Sequence, residues 1–226
     1  MSRVVVKLGG RVAADAAADA LALREAGHDV VVVHGAGPQI SSELERRGIP
    51  AEFVHGRRVT SAAVLEVVRE SFLAVNAEVC AAIGPDAIGL VGDEIGLRAE
   101  PVPGLGLVGD PLPTVPAAVV RALDAGFVPV IVPLALHDEL GSLNVNADEA
   151  AAALAVGLGA DRILFVTDVP GVLVDGDLIA ALPVDDADRM LVAGAFEGGI
   201  VPKLNAAVRA ARRGVRAEIG KTEVLG

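Results

Sequence analysis

Short apolar runs without polar alternation recur through this chain, and they limit its fold more than any other feature. The first lies in Arg3–Gly10, and others occupy Asp29–Val33, Val128–Pro133 and Arg162–Val166. Continuous Val-rich runs are typical of strands buried on both faces of a parallel sheet. Alanine-rich stretches that end at glycine separate several of them, as expected for helices. The sequence therefore predicts an α/β fold with parallel strands covered by helices.

The composition fits this fold and limits the function. With 226 residues, the chain is long enough for one large α/β domain or two small lobes. It has no Trp or Tyr, so Val, Leu, Ile and Ala must form the core. A formal net charge of −11 argues against nucleic-acid or anionic-membrane partners, which need clustered Lys and Arg. A single cysteine, no signal-like start and no bilayer-length apolar run predict a soluble cytoplasmic protein.

The first apolar run ends in Lys7-Leu8-Gly9-Gly10. A lysine is out of place inside a doubly buried strand, but it is understandable at the carboxyl end, where open α/β sheets bind ligands. Gly9 and Gly10 would let backbone N–H groups approach an anion closely. Taken alone, the string is short, and a solvated lysine before a glycine turn is the simpler interpretation.

A second small-residue turn, His34-Gly35-Ala36-Gly37-Pro38, stands between a strand and a helix predicted over Gln39–Arg47. Backbone N–H groups of such a turn are available to an anion at the positive end of the helix. The turn is equally compatible with a simple tight connection. Its spacing matches neither the dinucleotide-binding motif nor the P-loop.

Two adjacent arginines, Arg57 and Arg58, stand between apolar neighbours. Such a pair usually faces water, whereas the functional interpretation is a bidentate grip on a substrate carboxylate. Thr60 or Ser61 can then cap a long helix with an apolar stripe that includes Phe72 and Val75. Such a stripe is usually core, but the helix length of about six turns also suits a dimer interface.

The stretch Gly141–Glu149 leads into an alanine-rich helix. Asn146 can cap this helix, and Glu149 can close a capping box three residues later. Asp148 then lies in the first turn, where the helix dipole favours an ionised carboxylate that can position neighbouring cations. Simple capping by all three polar residues is the alternative.

A glycine pair also precedes the last long helix, in Glu197–Lys203. Pro202 fits the first helical position, which places Lys203 in the first turn. A cation there opposes the helix dipole at a cost of a few tenths of a kcal/mol up to about 1 kcal/mol. A lysine kept beside two glycines indicates that a phosphate shares the site, although a harmless surface lysine remains possible.

Weaker signals complete the chain. The polar turn over Thr167–Leu173 is a candidate nucleotide site at a strand end, and Asp175-Gly176 predicts a hairpin. Thr114 is expected to cap a helix. Residues 84–113 predict one strand, Ala87–Val91, among hairpins or loops. Three acidic residues stand close together, Asp185, Asp186 and Asp188. Their spacing favours helix capping and a solvated helix face over a metal site.

Six motifs together resemble the N-acetylglutamate kinases of the amino-acid kinase superfamily. They are Val-Lys-Leu-Gly-Gly, His-Gly-Ala-Gly-Pro, Gly-Arg-Arg-Val-Thr, Leu-Asn-Val-Asn-Ala-Asp, Thr-Asp-Val-Pro-Gly-Val-Leu and Gly-Gly-Ile-Val-Pro-Lys. The resemblance covers nearly the whole chain and implies a three-layer α/β/α sandwich with a mainly parallel central sheet. It implies an acceptor-binding and dimerising lobe over residues 1–136 and an ATP-binding lobe over 137–226, joined as one continuous domain. It also implies a homodimer formed partly through the long helix after Arg58.

The resemblance implies a role for individual residues. Lys7 and Lys203 would stabilise the phosphoryl group in transfer, and Asp148 would hold both lysines. The acceptor site would comprise Ala36, Gly37, Arg58 and Asn144. The nucleotide site would comprise Gly9, Gly10, Asp168, Val169, Pro170, Gly171, Val172, Leu173, Ala195, Phe196 and Glu197. Ala36 replaces a glycine usual in the family, so its N–H is available only where the backbone accepts a Cβ. Mg²⁺ would be carried by ATP without protein ligands.

The implied reaction is ATP-dependent phosphorylation of the side-chain carboxylate of N-acetyl-L-glutamate, which gives N-acetyl-L-glutamyl 5-phosphate and ADP in arginine biosynthesis. Two alternatives remain open. One is a kinase for glutamate or aminoadipate attached to an acidic carrier protein, which the charge of −11 disfavours. The other is a non-catalytic amino-acid or nucleotide sensor, which would not need Lys7, Asp148 and Lys203 together.

Overall fold

A computed structural model describes residues 2–9, 13–54, 56–167 and 169–226. The helices are α1 (Ala13–Glu25), α2 (Gly37–Arg46), α3 (Ala62–Ile83), α4 (Gly92–Ile95), α5 (Ala117–Asp124), α6 (Ala147–Gly157), α7 (Val184–Val192) and α8 (Ile200–Ala211). The strands are β1 (Arg3–Leu8), β2 (Asp29–His34), β3 (Phe53–Val54), β4 (Arg57–Arg58), β5 (Ala87–Val91), β6 (Ala99–Pro101), β7 (Val108–Pro111), β8 (Val128–Val132), β9 (Leu134–His137), β10 (Gly141–Val145), β11 (Arg162–Phe165), β12 (Leu173–Val174), β13 (Asp177–Leu178), β14 (Ala181–Pro183), β15 (Arg216–Ile219) and β16 (Thr222–Leu225).

Within these described residues, eight strands form the central sheet in the order β14-β16-β15-β11-β1-β2-β8-β5. Neighbouring strands are parallel except for β15 and β16. In β1, Lys7 is in register with Phe165 of β11 on one side and Val33 of β2 on the other. The strand order reverses at β1. Its carboxyl end is therefore the position at which α/β sheets of this kind bind ligands.

Alternate side chains of the central strands enter two hydrophobic cores. Val4 and Val6 pack in the core that includes α1, α2 and α3, whereas Val5 packs in the core that includes α5, α6 and α8. Each buried valine stabilises the fold by about 1.5–3 kcal/mol relative to an exposed one. Helices thus cover both faces of the sheet, which confirms the three-layer α/β/α sandwich and the Val-rich parallel strands.

A second sheet has the strand order β6-β7-β10-β9. Strands β6 and β7 lie within residues 84–113, where the sequence predicted only β5 among hairpins or loops, and β9 and β10 were not predicted. It aligns Asn144 of β10 with Val108 of β7. A further short hairpin pairs β3 with β4 and sets Phe53 opposite Arg58. These short strands matter for function because they carry Arg58 and Asn144, two residues of the predicted acceptor site.

Helix α3 confirms the predicted long helix. Ser61 caps it, since its hydroxyl oxygen accepts the N–H of Val64 at 3.3 Å. Phe72 and Val75 are buried in the protein's own core. These two side chains are therefore not available to a partner, and an interface on α3 must use another face of the helix.

Two local predictions have different outcomes. The hairpin at Asp175-Gly176 is confirmed, with φ angles of 51° and 88° at these residues. The expected cap at Thr114 is wrong, because α5 begins only at Ala117. Thr114 instead packs on α6, where a Cβ added to Gly157 would lie 2.0 Å from the Thr114 carbonyl oxygen.

Candidate active site

A cleft of about 1200 Å³ opens at the carboxyl ends of β1, β2 and β11. Most of the predicted site residues line it: Lys7, Gly9, Ala36, Gly37, Arg58, Asn144, Asp148, Val169, Gly171, Leu173, Ala195, Phe196, Glu197 and Lys203. Pro170 is exposed and Val172 is buried in the hydrophobic core, and neither lines the cleft. Gly10 and Asp168 lie outside the described residues.

Lys7 is only 5% exposed and extends from β1 to Asp148 of α6. Its Nζ lies 2.9 Å from Asp148 Oδ1 and forms an ion pair with it. Burial lowers the pKa of Lys7, the carboxylate of Asp148 opposes this shift, and the positive charge of Lys203 adds to it. The interpretation of Lys7 as a solvated strand-end lysine is therefore wrong.

Asp148 is 4% exposed and connects two lysines. Its Oδ2 lies 3.7 Å from Lys203 Nζ, while Oδ1 contacts Lys7. The backbone N–H groups of Asp148 and Glu149 donate to Asn146 Oδ1 at 2.8 and 3.2 Å, which confirms the predicted cap. Asp148 therefore combines a position at the positive end of α6 with two cationic partners.

Lys203 is the fourth residue of α8, because this helix begins at Ile200. The sequence had predicted Pro202 as the first residue of this helix. It is the third. Proline is accepted there because N–H groups of the first turn have no intrahelical acceptor. The unfavourable position of Lys203 at a helix start is offset by its ion pair with Asp148.

The guanidinium of Arg58 lies in the cleft with uncharged partners. Its Nη2 donates to Ser41 Oγ at 2.8 Å and to the Gly37 carbonyl oxygen at 3.4 Å, and its Cζ lies 4.5 Å from the centre of the Phe53 ring. Its Nη1 is buried without a hydrogen-bond partner among the described residues. Burial lowers the pKa of Arg58. A buried guanidinium with a free donor is suited to binding an anion.

The neighbouring Arg57 is neutralised by carboxylates. Its Nη2 donates to Glu149 Oε1 at 2.7 Å and to Asp110 Oδ1 at 3.3 Å. Glu149 therefore does not close the predicted capping box, because its carboxylate turns to Arg57 instead. This difference identifies Arg58, and not Arg57, as the member of the arginine pair available to a ligand.

A buried threonine links the two polar residues of the predicted acceptor site. Thr60 Oγ1 donates to the carbonyl oxygen of Arg58 at 2.8 Å and accepts from Asn144 Nδ2 at 3.0 Å. Arg58 and Asn144, 86 positions apart in the sequence, are thereby brought together. Sequence reasoning considered Thr60 only as a helix cap and missed this role.

The turn before α2 accepts its alanine. Ala36 caps α2 with φ −145° and ψ 28°, and its side chain is buried. A negative φ accommodates a Cβ, so the replacement of the usual glycine requires no left-handed backbone. Gly37 begins the helix, where first-turn N–H groups lack intrahelical acceptors. The N-terminal turn of α2 therefore lines the cleft as predicted.

Phe53 and Ser41, both in contact with Arg58, were not identified from the sequence. Phe53 is exposed apart from this contact, although the chain has only five phenylalanines. A phenylalanine five positions before an arginine, in a chain with few aromatic residues, was the available sequence signal. Its meaning depends on the register of a two-residue hairpin, which no sequence pattern specifies.

His34 ends β2 beside the lysine centre and is almost completely buried. Its pKa is lowered to about 4 by burial, with a hydrogen bond to the Gly35 carbonyl opposing this shift and the charge of Lys7 adding to it. Asn76 Nδ2 lies 3.1 Å from His34 Nε2 and can donate to the neutral ring. The imidazole is therefore uncharged at neutral pH.

The acids of α7 form ion pairs with arginines. Asp186 pairs with Arg189, and Asp188 pairs with Arg212. The predicted solvated face is confirmed, whereas the predicted capping is wrong because Pro183 precedes the helix without a side-chain cap. Among the residues that the structure describes, no group of three or more His, Cys, Asp or Glu side chains could hold a metal ion. None of the described helices has the length and hydrophobicity of a membrane span.

The comparisons with known proteins agree with this fold. Residues 2–221 match the Amino acid kinase family, and the chain belongs to this family. It is 45% identical to acetylglutamate kinase from Rubrobacter xylanophilus, with 97% of this chain and 88% of the relative covered. It is 40% identical to acetylglutamate kinase from Dinoroseobacter shibae, with 96% and 80% covered. The predicted resemblance to N-acetylglutamate kinases is thus confirmed.

A solved structure supports the same fold. The protein smu.665 from Streptococcus mutans UA159 superposes with a TM-score of 0.91 at 26% identity. The superposition covers 99% of this chain and 98% of that chain. The two proteins therefore share the fold over essentially their full lengths.

Proposed function

We propose that this protein transfers a phosphoryl group from ATP to the side-chain carboxylate of N-acetyl-L-glutamate in arginine biosynthesis. One observation carries the proposal: Lys7 and Lys203 share the carboxylate of Asp148 in the cleft that also holds Arg58, whose Nη1 has no hydrogen-bond partner among the described residues. Phosphoryl transfer to a dicarboxylic acceptor needs cations at the reacting group and a separate site for the second carboxylate. Relatives named acetylglutamate kinase favour this reaction over the carrier-linked kinase and the non-catalytic sensor.

Lys7 and Lys203 are the catalytic residues of this mechanism. Their charges stabilise the negative charge that develops on the transferring group, and each well-placed group of this kind contributes about 2.7–4 kcal/mol. Asp148 keeps both ammonium groups in place and charged. ATP, carried into the cleft with Mg²⁺ on its phosphates, supplies the phosphoryl group. The lysine pair fits phosphate oxygens, since both ammonium groups line the cleft beside glycine-rich turns.

The acceptor is held at a distance from the lysines. Arg58 binds the α-carboxylate through its free Nη1, with the guanidinium supported by Ser41 and Phe53. Asn144 contacts the acetamido group, because Thr60 fixes its amide beside Arg58. The N-terminal turn of α2, from Ala36 and Gly37, lies on the acceptor side of the lysine centre.

The nucleotide occupies the opposite part of the cleft. Gly9, the segment 169–173 and the loop 195–197 border it, and Gly10 and Asp168 remain part of this proposal. Val172 contributes only through support of this segment, since its N–H donates to Thr222 Oγ1 at 2.8 Å. We divide the molecule into an acceptor lobe over 1–136 and a nucleotide lobe over 137–226. The central sheet contains strands from both.

We also propose that the protein is cytoplasmic, because its single cysteine needs no oxidising compartment.

We further propose that the protein is a homodimer. The exposed face of α3 carries Leu73, which is 43% exposed, and α3 packs against β5, the edge strand of the central sheet. An apolar helix face beside a sheet edge suits a twofold interface. Sedimentation of Leu73→Glu should show monomers, whereas Leu140→Glu, at 46% exposure elsewhere, should remain dimeric. A dimeric Leu73→Glu protein would exclude this interface.

The reaction is tested by coupled ADP release with a panel of acceptors. N-acetyl-L-glutamate, free glutamate, carbamate and uridine monophosphate are compared at equal ATP concentration. The proposal predicts ADP release that depends on N-acetyl-L-glutamate and is much slower with the other three. A preference for free glutamate would contradict the role proposed for Asn144 in binding the acetamido group. ADP release without any acceptor would refute the proposed function.

A further inference from the structure

Four charged side chains form a network behind the acceptor arginine. Arg57 Nη2 donates to Glu149 Oε1 at 2.7 Å and to Asp110 Oδ1 at 3.3 Å. Arg209 donates to the same Asp110 through Nη1 at 2.7 Å and through Nη2 at 3.4 Å. Two arginines and two acids make the network electrically balanced.

The members of this network adjoin the groups of the proposed mechanism. Arg57 precedes Arg58 on β4, and Glu149 follows Asp148 on α6. Arg209 lies on α8, the helix that carries Lys203. The network therefore connects the strand that holds the acceptor cation to both helices that hold the catalytic centre.

The central pair of the network is largely removed from water. The side chain of Glu149 is 10% exposed and that of Arg57 is 19% exposed. Burial raises the pKa of Glu149, and the hydrogen bond and charge of Arg57 oppose this shift. Glu149 Oε2 is buried without a hydrogen-bond partner among the described residues. An ion pair in this environment holds β4 and α6 in one relative geometry, whereas an exposed ion pair is weakened by the screening of water.

We propose that the Arg57–Glu149 ion pair, braced by Asp110 and Arg209, sets the separation between Arg58 and the Lys7–Asp148–Lys203 centre and thereby selects the acceptor's side-chain length. The inference rests on the proposed function. With the α-carboxylate held by Arg58, only a side chain of the right length brings its carboxylate to the lysines. Arg57 and Glu149 are positioning residues, because they act through Arg58 and Asp148.

The test compares acceptors that differ by one methylene. The kcat/KM values are measured for N-acetyl-L-aspartate, N-acetyl-L-glutamate and N-acetyl-L-2-aminoadipate with wild type, Arg57→Gln and Glu149→Gln. One methylene typically changes kcat/KM by about 10- to 200-fold in a fitted site. In both variants we expect the preference for N-acetyl-L-glutamate to fall at least about 10-fold. We expect its KM to rise and the KM for ATP to stay unchanged.

Two further variants separate positioning from general stability. Because the pair acts as a unit, the Arg57→Gln/Glu149→Gln double variant should lose no more selectivity than either single variant. Arg189→Gln removes an exposed arginine–carboxylate pair on α7 and should retain wild-type selectivity. If Arg57→Gln does not fold, Glu149→Gln carries the test, since Arg57 keeps its bond to Asp110 in that variant.

The possible failures are distinguishable. Wild-type protein without activity on N-acetyl-L-glutamate refutes the proposed function. An active wild type with folded Arg57→Gln and Glu149→Gln variants of unchanged selectivity overturns the positioning proposal alone. A lower kcat for all three acceptors with unchanged ratios also overturns it, because that result indicates a merely structural pair.

Discussion

Replacement of Asp148 by asparagine removes one charge from the centre of the site with little change in shape. The carboxylate contacts Lys7 Nζ at 2.9 Å and lies 3.7 Å from Lys203 Nζ. The helix cap does not depend on this side chain, because Asn146 accepts the backbone N–H groups. The variant therefore isolates the electrostatic role of Asp148.

The magnitude follows from burial. Removing one partner of a buried ion pair costs about 3–5 kcal/mol of stability, as it leaves a charge without compensation. Lys7 is 5% exposed, and the carboxylate of Asp148 opposes the lowering of its pKa by burial. Without that carboxylate the pKa of Lys7 falls further, since burial and the charge of Lys203 remain. Turnover should fall about 100- to 1000-fold, the usual effect of losing one well-placed charge.

The assay is coupled ADP release with saturating N-acetyl-L-glutamate over neutral and mildly alkaline pH. Turnover of both enzymes should decline as pH rises, because the protonated form of Lys7 is the active one. The decline should begin at a lower pH in Asp148→Asn than in wild type. Urea unfolding measures the stability loss separately. Asp138→Asn, at an exposed ion pair with Arg98, is the matched control. A folded Asp148→Asn enzyme with wild-type turnover and pH profile would refute this reasoning.

Three further predictions follow from the same site. Lys203→Ala should lower kcat about 100- to 1000-fold while ATP binding weakens far less, and near wild-type turnover would contradict its catalytic role. Arg58→Lys should raise the KM for N-acetyl-L-glutamate strongly and leave the KM for ATP nearly unchanged; the reverse result would exchange the two lobes. His34 has a pKa of about 4 in the folded state against 6.5 ordinarily, so the folded state binds fewer protons than the unfolded state. Wild type should lose up to about 3 kcal/mol of unfolding free energy as pH falls through this interval, and His34→Gln should lose less, as urea unfolding would show.

The two lysines proposed as catalytic could be singled out from the sequence because each departs from a local rule. Lys7 lies in a doubly buried strand, and Lys203 occupies the positive end of a helix. Such conflicts between local preference and position mark functional sites. The Val-rich strands predicted the fold, because a strand that is buried on both faces has no alternation of polar and apolar residues.

The remaining features depend on tertiary contacts. The hairpin that sets Phe53 against Arg58 is only two residues per strand, so its register comes from packing and not from a periodic pattern. The Arg57–Glu149 pair joins positions 92 residues apart, beyond any local signal. On α3 the helical spacing of apolar residues identified an apolar stripe. This spacing does not show whether the stripe packs in the protein's own core or against a partner.

The most direct test of the account is identification of the product. Hydroxylamine converts an acyl phosphate into a stable hydroxamate, so the reaction with ATP, Mg²⁺ and N-acetyl-L-glutamate is run in its presence. Mass spectrometry and NMR then identify which carboxylate was modified. We predict the side-chain hydroxamate in an amount equal to the ADP released. ADP release without hydroxamate, or hydroxamate at the α-carboxylate, would contradict the assignment of the side-chain carboxylate to Lys7 and Lys203.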